Sequence, residues 1–247
     1  MKADKKILLG ILGGLGPMST FYFCELLTSH TQAFCDADHI DMLISSRATT
    51  PDRTAFILGK STRDPLPVML EEANRLVAGG ADLLVIPCNT AHYFYHGLLQ
   101  EISVPMLNII EETVLHLKRL GTKTFGLLAT EGTASSRAYE KICREHGLVC
   151  LVPTEEEQKI VSSIIYDQIK QNKPADLAAL EAVGKALQAR SAERLVLGCT
   201  ELSLIKTQLS PALCLVDSLE VLAYQTILAC NKTPIGFPLD FLGGGGV

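Results

Sequence analysis

Two cysteines stand in matched surroundings. Cys88 closes the apolar run Leu83–Pro87 and is followed by Asn89 and Thr90; Cys199 closes Leu195–Gly198 and is followed by Thr200 and Glu201. At each, a buried strand is expected to stop and a helix to begin, where backbone N–H groups would bind a carboxylate and favour thiolate over thiol. A lone cysteine so placed reads as a small buried hydrophobe. Two in one context suit more: a thiolate takes a proton from one face of a carbon while a thiol returns one to the other. That inverts the centre, with the roles exchanging between substrate hands. General acid–base catalysis of this kind is worth roughly 10²–10⁴-fold, and N–H groups around an α-carboxylate would stabilise the carbanion-like transition state. Glu201, beside Cys199, should raise that thiol's pKa unless it points elsewhere, so it receives a supporting role.

The elements that would carry these thiols follow an α/β pattern of short apolar runs, small or polar turns and amphipathic stretches. Strands are predicted at Lys6–Leu12, Asp41–Ser45, Leu83–Pro87, Met106–Ile109, Thr124–Ala129, Leu148–Val152, Leu195–Gly198 and Leu213–Val216. Helices are predicted at Met18–His30, Val68–Ala78, Ile110–Leu120, Ser135–His146, Glu156–Gln171 and Leu177–Ala189. The stretch from Glu156 reads as helix because Ile160, Ile164, Ile165 and Ile169 fall at helical spacing. The halves repeat weakly: ILLGILGGLG against TFGLLATEGT, ADLLVIPCNTAH against AERLVLGCTEL, VPMLNIIEE against ALCLVDSLE. Ala81 to Cys88 and Ala192 to Cys199 are equal steps. The fold class is therefore α/β, with two similar open-sheet lobes related by a pseudo-two-fold axis. Both cysteines face the cleft between the lobes, at the carboxyl ends of strands where α/β ligand sites form.

Composition narrows the partners. With 247 residues, 47% hydrophobic and 20% charged, the chain suits a soluble globular protein. A net charge of −5 gives no basic field for nucleic acid or an acidic membrane surface, which favours a small-molecule ligand. Lys5, Lys6 and the run Ile7–Leu12 imitate a signal peptide, but Gly10, Gly13, Gly14, Gly16 and Pro17 interrupt it and no cleavage site follows. No stretch is long enough to span a bilayer, so the cytoplasm is the expected location. Eight cysteines without a C-x-x-C pair suggest neither a disulfide scaffold nor zinc. Cys24, Cys143, Cys150, Cys214 and Cys230, in apolar or helical surroundings, and Cys35, in a polar loop, receive no role. A dinucleotide site is set aside because Ser19 stands where the third glycine belongs and no acid closes the second strand. His92 and His96 have metal-pair spacing but no H-E-x-x-H, so they read as satisfied core or surface residues. The tail Gly243–Val247 is expected to be unstructured.

The motifs GILGGLGP (Gly10–Pro17), PDRTAFILG (Pro51–Gly59), PCNTAH (Pro87–His92), IEET (Ile110–Thr113), GLLATEGT (Gly126–Thr133), PTEEEQK (Pro153–Lys159), IIYDQIK (Ile164–Lys170) and GCTEL (Gly198–Leu202) run through nearly the whole chain. In this order they resemble the aspartate/glutamate racemase superfamily, and within it the aspartate racemases. The resemblance implies that Cys88 and Cys199 are acid/base catalysts needing no cofactor, pyridoxal phosphate included, and no metal. It implies that Asn89, Thr90, Thr130, Thr133 and Thr200 hold the α-carboxylate and ammonium region, and that Arg53 and Lys170 grip a side-chain carboxylate, as an arginine fork and a lysine charge can. Arg53 otherwise reads as a turn residue and Lys170 as a solvated helix end. The resemblance further implies a homodimer and a first lobe of residues 1–113 plus 212–247 around a second lobe of 114–211.

Two features steer away from the glutamate branch. Glu201 stands where G-C-T-H is usual, and the Gly13–Gly14 turn replaces the first strand's acidic residue. The segment Ser45–Thr50 departs from the asparagine- or proline-bearing form common before P-D-R-T, and its Arg47 is an extra cation that could alter which side chain is accepted. The rivals are a broader amino-acid racemase, a maleate isomerase-like or decarboxylase-like enzyme, and a silent amino-acid-binding sensor. Decarboxylases of the arylmalonate type keep one cysteine, which argues against that reading.

Overall fold

Near-continuous apolar runs make strands that are buried on both faces of a parallel sheet, and the centre of each lobe is built from one. In the computed structural model, which describes residues 6–238 and Phe241, the chain runs β1 (Leu8–Gly13), α1 (Pro17–Ser29), β2 (Asp41–Ser46), α2 (Arg53–Ile57), α3 (Leu66–Ala78), β3 (Leu83–Val85), α4 (Tyr95–Leu99) and α5 (Ile109–Arg119). The second half runs β4 (Thr124–Leu128), α6 (Glu131–Ser135), α7 (Ala138–His146), β5 (Val149–Leu151), α8 (Glu155–Ser163), α9 (Leu177–Ala189), β6 (Arg194–Leu197), α10 (Thr200–Ser203), β7 (Leu215–Asp217) and α11 (Ser218–Ala229).

Both sheets are parallel, in the orders β2-β1-β3 and β5-β4-β6-β7. The central strands β1 and β4 correspond, as do β3 and β6, which carry the two cysteine turns. The strand predicted at Met106–Ile109 is reduced to one bridge, Leu84↔Met106. Asn108 ends it: its side chain accepts from the N–H groups of Ile110 and Glu111 and starts α5 at once. That bridge occupies the place β7 takes in the second sheet, where Leu195 pairs with Leu215. Residues 215–217 thus pair in the second sheet, a few residues beyond the boundary expected at 211. The short path from β6 through α10 returns the chain beside the strand it left. The next element, α11, packs against α1 and α5.

The closing helix of each half packs on the other half. α5 lies against α7, α11 lies against α1, and the two meet each other. α11 buries Leu219, Val221, Leu222, Ala223 and Ile227, so most of its surface is covered, with Leu228 left exposed. The largest core cluster accordingly spans both lobes, joining Phe23 and Leu27 of α1 to Leu219 and Leu222 of α11, Ile110 and Val114 of α5, and Tyr139 of α7. Separate clusters fill the outer face of each sheet.

Three local departures shape the site. The helix predicted at Ser135–His146 begins instead at Ala138 as α7, parted from the short α6 before it by Arg137, whose φ is 54°. The helix predicted at Glu156–Gln171 ends as α8 and continues through a π turn, Ile164–Gln168, and a 3-10 turn, Ile169–Gln171. The wider π turn redirects the residues beyond it, Lys170 among them. Gly14, at φ 80°, lets the turn after β1 press on the backbone of Arg47, where a Cβ would lie 2.4 Å from the Arg47 nitrogen. None of the described helices is long and apolar enough to cross a membrane. The tail Gly243–Val247 and Lys5 lie outside the described residues.

Candidate active site

The turns after β3 and β6 converge on one buried cavity. Its walls bring together Cys88, Asn89, Thr90, Thr130, Arg53, Lys170, Cys199, Thr200 and Glu201, supplied by both lobes. Its volume is ≈ 10 Å³, about one water molecule. A wider space of ≈ 500 Å³ lies beside it, lined by Gly14, Met18 and Leu204 among others, and Asp52, Arg53, Lys170 and Glu201 border both.

Cys88 and Cys199 are each 5% exposed. The Cys88 carbonyl accepts from His92 Nδ1 at 2.9 Å, and His92 Nε2 accepts from the Ile109 N–H at 3.2 Å. His92 is therefore a satisfied core residue in its neutral, Nδ1-protonated form. Burial depresses its pKa to about 4 against two supporting backbone hydrogen bonds.

Cys199 caps α10 and its Sγ donates to Glu201 Oε2 at 3.0 Å. Burial and then the Glu201 charge push its pKa well above the usual thiol range, more than Lys170 pulls it down. This reverses the expectation that a helix start would favour thiolate there. α10 has only four residues and the turn after Cys88 is a five-residue 3-10 segment, so aligned peptide dipoles are few and desolvation dominates. Glu201 Oε1 lies 3.2 Å from Lys170 Nζ, out of line for a hydrogen bond. Burial opposes the charge on Lys170, but Glu201, then Cys199, Tyr166 and Cys88 outweigh it and its pKa is raised. Gly16 makes room for this carboxylate, since a Cβ there would stand 2.5 Å from Glu201 Oε1.

Arg53 is 8% exposed and starts α2, whose cap Asp52 accepts from the Ala55 N–H. Its guanidinium donates to the Pro51 and Leu15 carbonyls at 3.0 and 2.9 Å, and Nε has no acceptor. Among the described residues no carboxylate pairs with it. Arg47, by contrast, is spent on Glu71 and Glu72 at 2.6 and 2.7 Å, on α3 rather than at the cavity.

Thr90, Thr130 and Thr133 form a hydroxyl triangle with sides of 2.9, 2.9 and 3.1 Å. Thr90 and Thr130 face the cavity, and Thr133 stands behind them, outside its wall. The Asn89 amide turns inward: Oδ1 accepts from Tyr139 and Nδ2 donates to Ser218. Sequence reading missed Tyr166, a cavity wall residue with Lys170 Nζ 5.0 Å from its ring centre. Burial raises its pKa to about 12. Its spacing of four from Lys170 was the available signal. Of the other cysteines, Cys143 and Cys230 are buried, whereas Cys214 is exposed rather than in apolar surroundings.

The profile of the Asp/Glu/hydantoin racemases matches residues 12–226, and the chain belongs to that family. It is an amino-acid racemase, hence an isomerase. Its relatives include the broad specificity amino-acid racemase RacX of Bacillus subtilis, 29% identical over 229 residues, covering 89% of this chain and 96% of that one. The solved Picrophilus torridus aspartate racemase is 29% identical, with a TM-score of 0.79 over 92% of this chain and 96% of that one. A glutamate racemase from Francisella tularensis in complex with D-glutamate shares the fold at 19% identity, with a TM-score of 0.63 over 96% and 90%.

Proposed function

We propose that the protein interconverts L- and D-aspartate without a cofactor, by proton transfer between Cys88 and Cys199. The supporting observation is that both thiols line one cavity beside Arg53, a buried cation with no carboxylate partner among the described residues. In one direction the Cys88 thiolate removes the α-proton, breaking the C–H bond and forming S–H. The Cys199 thiol then gives its proton to the opposite face and is left as thiolate. The reverse direction exchanges the roles. Arg53 is the side-chain carboxylate's partner. Thr90, Thr130 and Thr200 serve the α-carboxylate and ammonium, with Thr133 bracing the first two. The eight cysteines carry no disulfide among themselves, which suits the reducing cytoplasm, and a homodimer is the assembly carried over from the resemblance.

A broader specificity is the second reading. Glu201 already compensates Lys170, so among the described residues lining the cavity a single cation, Arg53, is left for an extra carboxylate, and RacX is itself described as broad in specificity. The deciding experiment is α-proton exchange in D₂O by NMR with no added cofactor, across both enantiomers of aspartate, glutamate and a neutral panel. Exchange confined to aspartate supports the first reading. Equal exchange of neutral amino acids replaces it with the second, and no exchange removes both.

A further inference from the structure

The two cysteine turns are joined by a chain of buried hydrogen bonds that passes through one hydroxyl. Asn89 follows Cys88 directly, and its Nδ2 donates to Ser218 Oγ at 2.9 Å. Ser218 Oγ donates in turn to the carbonyl of Leu197 at 2.7 Å, two residues before Cys199. The far side of the Asn89 amide is fixed by Tyr139, whose hydroxyl donates to Oδ1 at 2.7 Å. Asn89, Tyr139, Ser218 and Leu197 are all at most 2% exposed. These groups are buried away from bulk solvent, so leaving any of them unpaired would be costly.

The placement matters because the four residues belong to different parts of the fold. Asn89 sits in the turn after β3, Tyr139 on α7, Leu197 at the end of β6 and Ser218 at the first position of α11. In the second half the residue equivalent to Asn89 is Thr200, and in the first half the residue equivalent to Ser218 is Ile109, which has no polar side chain. The link therefore exists once, on one side of the pseudo-two-fold axis. Two thiols that work on opposite faces of one carbon need a fixed separation, because misplacing a catalytic group by about 1 Å can cost on the order of 10²-fold. The turns themselves are short and irregular, so something outside them must hold that distance.

We infer that Ser218 is a positioning residue that sets the separation of Cys88 and Cys199, with Asn89 and Tyr139 completing the strut. The inference rests on the two-thiol reading above. It predicts a defect in how the two transfers are matched, not in how tightly substrate is held. When one thiol still reaches the α-carbon and the other is out of place, the first removes the proton, exchanges with solvent and returns deuterium to the same face. Exchange with retention then rises relative to exchange with inversion.

The experiment follows both products in D₂O, by NMR for α-proton loss and by chiral chromatography for configuration, using whichever of aspartate, glutamate and alanine the unsubstituted enzyme exchanges fastest. Ser218→Ala is expected to lower kcat by on the order of 10–10²-fold, change KM by less than about twofold, and raise the retention-to-inversion ratio severalfold. Tyr139→Phe, which keeps the Ser218–Leu197 bond and the ring, is expected to shift the ratio the same way by less, and it serves alone if Ser218→Ala does not fold. Ser218→Thr keeps the hydroxyl while crowding the core, so it should lower Tm yet leave the ratio unchanged. An unchanged ratio in both Ser218→Ala and Tyr139→Phe overturns the strut, as does an equal rise in Ser218→Thr. Absence of any exchange in the unsubstituted enzyme overturns the two-thiol reading and the strut together.

Discussion

Cys199 Sγ donates a hydrogen bond to Glu201 Oε2 at 3.0 Å, and both residues are buried. The carboxylate two residues along therefore favours the thiol over the thiolate. Glu201→Gln removes that like charge and should lower the Cys199 pKa. The alkaline limb of kcat/KM, which reports loss of the last thiol proton, should move to lower pH. A profile that stays in place would separate Glu201 from the acid/base pair.

Cys88→Ala and Cys199→Ala should each reduce racemisation by at least about 10²-fold, measured by polarimetry or chiral chromatography. Each should still exchange the α-proton of one enantiomer through the remaining thiol, and the favoured enantiomer should differ between the two. Near-normal inversion in either variant would remove the two-base mechanism.

Arg53→Ala should act on acidic substrates above others. Charge-assisted hydrogen bonds lost from a buried site correspond to on the order of 10–10²-fold, expected in kcat/KM for aspartate, while any residual rate on alanine changes little. Equal losses on both would move Arg53 from the side chain to the α-carboxylate or to structure.

His92 makes a prediction about pH and stability. Its pKa is near 6.5 when unfolded and about 4 when folded, so the unfolded chain binds the proton first as pH falls. Its contribution to stability is complete above about pH 6.5 and is lost as pH drops toward 4, by about 3 kcal/mol. In urea denaturation at pH 7 and pH 4.5, His92→Asn should be less stable than the parent at pH 7 and lose less on acidification. Parallel losses in the two proteins would show that His92 is not the group that titrates.

Much of the scaffold was legible because the repeat is written in local grammar. Runs such as Leu83–Pro87 end in a buried strand and a turn in both halves, so the two thiols and their common cleft follow from sequence. α9 was bounded correctly at Leu177–Ala189 by its periodic apolar face. α11 was not seen, since it is apolar on nearly every side and shows little contrast with a strand or a loop. The bridge at Met106 was overrated because an apolar run does not reveal that Asn108 will cap a helix. At the site, residue types could be placed on the cavity, but side-chain partners could not. That Glu201 reaches Cys199 and Lys170, that Asn89 turns inward and that Arg47 faces α3 depend on contacts between distant segments. The π turn before Lys170 has no signature in an isoleucine pattern that fits an ordinary helix.

The crossed helices also govern the order in which the molecule can be completed during synthesis. The face of α1 that carries Phe23, Leu26 and Leu27 is made before either sheet is complete, whereas part of its cover, α11, follows the last strand of the second sheet. A nascent polypeptide therefore carries an open greasy seam until α11 has been made, the kind of surface that chaperones hold. Premature termination anywhere before Ser218 would leave that seam permanently bare, so truncated products should be targets for aggregation and proteolysis and not half-sized enzymes.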